Sequence, residues 1–166
     1  EAVAAYQRAL KLDPQFVSGW VNLADAWRVQ GREKEVEATL REGLAKLPRS
    51  ADLLHALGLA QVRKGDRSAA LKSLAEAARL APDRSRYAYV WAVALHAAGR
   101  SGEAVAALRD ADRRHPYDVP ILRALVSIQR EMGRTRPALA DARKLAEVLP
   151  DDPRVKAVVD ELSRGR

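Results

Sequence analysis

The chain has no cysteine, which excludes disulfides, thiol nucleophiles and thiolate metal sites from its 166 residues. Aromatic residues make up only 5% of it, with a single Phe, too few of the bulky side chains that favour sheets. No apolar run approaches the roughly 18 residues needed to span a bilayer, and no signal-peptide pattern is visible. The short motifs of catalysis are missing too: there is no phosphate-cradling glycine loop, no nucleophile elbow and no helical His-Glu-x-x-His pair. Alanine and arginine are abundant instead. Basic residues number 29 against 22 acidic ones, for a net charge of +7. That balance permits acidic partners or nucleic acid, although a preference for Arg over Lys also marks GC-rich bacterial genomes.

Proline recurs at positions 14, 48, 82, 116 and 150, and glycine at 31, 65, 99 and 133. Both ladders have a period of 34 residues, and self-similarity at a fixed period marks a repeat architecture. Within one period, Trp20, Leu23, Ala24 and Trp27 stand at i, i+3, i+4 and i+7, an apolar stripe on a helix. Gly31 follows where a left-handed C-cap is cheapest. A second helix carries Val36, Leu40, Gly43 and Leu44 on its inner face, and Pro48 breaks it. The later periods repeat the pattern. First helices carry Leu54, Leu57 and Gly58, then Trp91, Ala92 and Leu95, then Leu122, Leu125 and Val126. Second helices carry Ala70, Leu74 and Ala77, then Ala104, Leu108 and Ala111, then Ala138, Ala142 and Leu145. Ser50, Asp118 and Asp152 are good N-caps, and Pro153 suits a first helical position.

A 34-residue helix-turn-helix with Trp20, Leu23, Trp27, Gly31 and Pro48 at its signature positions resembles the tetratricopeptide repeat family, over essentially the whole chain. Gln61 and Gln129 depart from it, standing where an aromatic is usual. The resemblance implies an all-α fold, an α-solenoid of antiparallel helix pairs stacked in a right-handed superhelix. Full repeats are expected over 17–50, 51–84, 85–118 and 119–152. Residues 1–14 match a second helix whose first helix is missing, which points to further repeats upstream in a parent protein. Val155, Val158, Val159 and Leu162 form a stripe opposite charged residues, the pattern of a capping helix over 153–163.

In this family the first helix of each pair lines a concave groove. Its groove positions fall here on Val21, Asn22, Asp25 and Arg28, then His55, Ala56, Leu59 and Arg63. They continue with Arg86, Tyr89, Val90, Val93 and His96, and end with Arg123, Ser127 and Arg130. The implied function is a non-enzymatic scaffold that binds a protein or peptide segment with acidic and apolar residues, since Arg pairs with carboxylates in a planar fork. The carboxylate clamp of chaperone-binding relatives does not fit, because its positions read Val21, Asp25, Ala56, Arg86 and Val90, of which only Arg86 suits it. The alternative readings are RNA binding and self-assembly through the open ends. The first suffers from a period of 34 rather than the 35 of pentatricopeptide repeats, and from Tyr89 as the one stacking platform.

No cofactor and no metal site is expected. His55 and His96 fall at different positions of successive repeats, roughly 10 Å apart along the helix direction, and His115 precedes Pro116. Asp110 with Asp112, and Asp151 with Asp152, read as structural carboxylates. The run from Arg86 to His96 is similar to repeat tails of bacterial multihaem c-type cytochromes, which would place a haem-bearing part upstream. The compartment, bacterial cytoplasm or periplasm, is left open.

Overall fold

A computed structural model describes residues 1–164 of the chain. Among the described residues there are ten α-helices and no strand: α1 (Ala2–Leu12), α2 (Val17–Val29), α3 (Glu33–Lys46), α4 (Ala51–Lys64), α5 (Arg67–Leu80), α6 (Ser85–Ala97), α7 (Ser101–Arg114), α8 (Val119–Glu131), α9 (Thr135–Val148) and α10 (Pro153–Arg164). The fold is all-α and of the solenoid class, built from antiparallel helix pairs.

The punctuation acts as its chemistry dictates. All four periodic glycines have positive φ, Gly65 at +85°, where its amide closes on the carbonyl of Val62 at the end of α4. Each proline at 14, 48, 82, 116 and 150 lies in the turn after a helix. Ser50 and Asp118 accept the amides of Leu53 and Ile121 at 3.4 and 3.1 Å. Asp66, not anticipated as a cap, does the same for Ala69 at 3.1 Å.

The chain divides into two compact units, Glu1–Ala81 and the part from Pro82 onward. In the first, Leu10, Trp20, Leu23, Ala24, Val36, Leu40, Leu53 and Leu57 form one buried core. Each fully buried Leu side chain contributes about 1.5–3 kcal/mol by leaving water. Close approach depends on small residues: a Cβ on Gly43 would sit 2.9 Å from the Trp20 ring, and one on Gly58 only 2.6 Å from Leu74 Cγ. In the second unit, α10 lays Leu162, with Val158 and Val159, against Val126, Ala138, Leu139 and Ala142. Its Val155 joins Leu122 and Leu145.

Candidate functional site

Positions four residues apart on a helix share a face. On α6 this brings Ser85, Tyr89 and Val93 together with Arg86, Val90 and His96, and on α8 it brings Val119, Arg123 and Ser127 together with Pro120, Ala124 and Ile128. α6 and α8 pack against each other, and these faces wall a groove of about 810 Å³. Its interior is largely apolar, from Tyr89, Val90, Val93, Ala124 and Ile128, with charge toward the ends. Arg86, beside the start of α6, is exposed and enters no ion pair among the described residues. Arg123 donates to Asp152 at 2.8 Å. That hydrogen bond, and next those from Arg154, hold the Asp152 carboxyl well below the usual carboxylate range. At the opposite end the imidazole of His96 bridges two helices. Its Nδ1 lies 2.9 Å from Ser101 Oγ and its Nε2 lies 2.9 Å from Glu131 Oε2.

Of the residues anticipated from sequence, the structure gathers Arg86, Tyr89, Val93, His96, Arg123 and Ser127 around this one groove. Arg130 lies outside it and pairs with Glu161 of α10 at 2.6 Å. In the first unit, Asn22 and Asp25 are exposed on α2, and Asp25 pairs with Arg28 at 2.7 Å, which raises the Arg28 pKa further. Arg63 lies 3.4 Å from Glu33, and Leu59 is half-buried. His55 requires correction as a groove-facing residue, since it is only 8% exposed. The cause is that α4 packs against α2, α3 and α5 and is buried around most of its circumference. The cationic character inferred for the groove is likewise reduced, because Arg28, Arg63, Arg123 and Arg130 are each paired with an acid.

Sequence reading passed over Ser85, Val119, Pro120, Ala124 and Ile128, although each lies one residue or one turn from a residue it did single out. It also passed over an interior polar cluster. Arg109 of α7 donates both terminal nitrogens to Asp141 of α9, and Gln129 of α8 donates to Asp141 at 2.6 Å. Gln129 and Asp141 are each 1% exposed. The departure of Gln61 and Gln129 from the aromatic pattern was the available signal, since a buried amide demands a polar partner. Gln61 finds its own in Ser73 at 2.8 Å. Asp110 pairs with Arg113 and Arg114, and Asp112 with Lys144, so these carboxylates are engaged structurally. Among the described residues no three His, Cys, Asp or Glu side chains are grouped to hold a metal ion, and no helix is long and apolar enough to cross a membrane.

Comparison with known proteins bears on the fold. The structure of MamA superposes with a TM-score of 0.74 at 20% identity, covering 87% of this chain and 85% of that one. YrrB, a TPR protein with an unusual peptide-binding site, superposes with a TM-score of 0.72 at 18% identity, covering 98% and 81%. A tetratricopeptide repeat protein from Parabacteroides merdae gives 0.75 at 13% identity, covering 96% and 64%. At these identities the likeness is one of fold. No curated protein matches the sequence. The tetratricopeptide repeat family model matches residues 1–51 and 55–119, and the chain belongs to the tetratricopeptide repeat family.

Proposed function

We propose that this chain is a protein-interaction scaffold that takes a segment of a partner protein, extended or helical, into the groove between α6 and α8. The carrying observation is the juxtaposition of an apolar interior of about 810 Å³ with the guanidinium of Arg86 at one end, exposed and without an acidic partner among the described residues. Apolar side chains of the partner lie on Tyr89, Val90 and Val93, and an acidic residue pairs with Arg86. A groove built from packed helices needs little ordering on binding, which limits the entropic cost of association. Peptide binding in YrrB, a protein of the same fold, supports the reading by analogy.

RNA is disfavoured as the ligand. Of the two arginines that line the groove, Arg86 and Arg123, the second is already paired with Asp152, which leaves little of the positive potential that backbone phosphates require. The test places a photo-crosslinking benzoylphenylalanine at position 93 and, as control, at exposed Lys72 on α5. A protein captured from position 93 only, and lost with Arg86→Glu at unchanged helicity, is the expected result. Equal capture from both positions, or capture abolished by ribonuclease, would overturn the proposal.

A further inference from the structure

A second cavity, of about 320 Å³, opens between α1, α2 and α3. Gln7, Leu10, Leu23, Trp27, Thr39 and Glu42 border it. Three 34-residue periods later these six positions are Arg109, Asp112, Leu125, Gln129, Asp141 and Lys144. There, between α7, α8 and α9, the equivalent crevice is filled. The Arg109 guanidinium binds Asp141 at 2.6 and 2.8 Å, Gln129 bonds Asp141 and the Leu125 carbonyl, and Lys144 bonds Asp112 at 2.9 Å. Between α3, α4 and α5 the direct Gln61–Ser73 bond spans the corresponding positions at 2.8 Å. The α1–α3 crevice holds neither device. Gln7 is shorter than an arginine and uncharged, and Thr39 has no carboxylate.

Three features fit the open crevice to the group that fills its equivalent. The Trp27 ring already attracts one guanidinium, with Arg32 Cζ 4.3 Å from its centroid. Glu42 is exposed and enters no ion pair among the described residues. Thr39, 7% exposed, offers its hydroxyl as a further acceptor. Lys11, also on the border, opposes a cation, so its removal should favour one.

We propose that the α1–α3 crevice is a docking pocket for an arginine side chain of a partner polypeptide, with its guanidinium against Trp27 and paired with Glu42. This surface is separate from the α6–α8 groove, and neither reading depends on the other. Arginine suits it better than lysine because a planar fork can stack on the indole and pair with a carboxylate together.

The test follows the indole N–H signals of the ¹⁵N-labelled full chain during titration with acetyl-Ala-Arg-Ala-amide, against the same peptide with neutral citrulline. The arginine peptide should move the Trp27 signal and leave Trp91 in place, while the citrulline peptide moves neither. Glu42→Gln, a surface change, should weaken binding about threefold, and Lys11→Ala should tighten it by a similar factor. The double variant Gln7→Arg/Thr39→Asp rebuilds the Arg109–Asp141 pair inside the crevice and should abolish the Trp27 shift, with Trp91 unchanged as the sign of an intact fold. The proposal is overturned if the arginine peptide leaves Trp27 unmoved, if citrulline moves it equally, or if Glu42→Gln and the plugged variant both bind as wild type does.

Discussion

Asp141 on α9 receives both terminal nitrogens of Arg109 on α7, at 2.6 and 2.8 Å, where its carboxylate is 1% exposed. Burying the Asp141 carboxylate costs much of what its attraction to Arg109 returns, Arg109 itself keeping 33% of its side chain exposed, so the pair's main effect is to penalise any arrangement that leaves the carboxylate alone. Asp141→Ala is therefore expected to cost about 2–4 kcal/mol. The all-apolar replacement Arg109→Met/Gln129→Leu/Asp141→Leu should recover most of that loss. Urea unfolding of the single and combined variants measures both, and a triple variant no more stable than Asp141→Ala would contradict the account.

Two glycines, Gly58 within α4 and Gly65 capping its end, should fail for different reasons. At Gly65 a Cβ would meet nothing within 4 Å, yet φ is +85°, so Gly65→Ala carries only backbone strain of about 1–2 kcal/mol. At Gly58 a Cβ would press on Leu74 at 2.6 Å. Reducing the obstacle with Leu74→Ala should therefore offset part of the cost of Gly58→Ala and none of the cost of Gly65→Ala. A double-mutant cycle on thermal melts separates them.

Trp20 is buried and donates its indole N–H to the Pro14 carbonyl at 3.0 Å. Trp20→Ala removes the largest side chain of the first unit's core and one of its fixed contacts to the turn. The expected cost is about 3–5 kcal/mol. Trp20→Phe should cost less, and calorimetry on the two variants checks the order.

Acid should loosen α10 early. Arg123, then Arg154, depress the folded pKa of Asp152 below its ordinary value of 3.8. A depressed carboxyl stabilises fully above the unfolded pKa, and the contribution drains away as the pH falls through the window below about 4. Asp152→Asn should flatten the stability difference between pH 6 and pH 3. Identical pH dependence in the variant and wild type would exclude this source.

Much of the architecture was legible because its signals are local. Pro48 and Gly65 act through their own φ angles and missing groups, and stripes such as Ala70, Leu74 and Ala77 report one face of one helix. The α6 and α8 groove faces were assigned through the resemblance to tetratricopeptide repeats rather than through such local signals. The fate of most of the charges was not legible: apart from Arg28, whose partner Asp25 is three residues away, they pair about one period along, Asp152 being 29 residues from Arg123, Glu161 31 from Arg130, and Glu131 35 from His96. Helical spacing rules of three and four residues cannot find such pairs, whereas a search one period along the chain would.

The 34-residue ladder thus determines where helices begin and end and which faces turn inward, since backbone geometry and apolar periodicity are properties of short segments. Tertiary packing alone decided that His55 is buried, that among the described residues Arg86 has no acidic partner while Arg123 has one, and that the α7–α9 crevice is filled while the α1–α3 crevice stands open. Those outcomes turn on charged and polar atoms coming within hydrogen-bond reach, and that distance is set by how neighbouring helices dock.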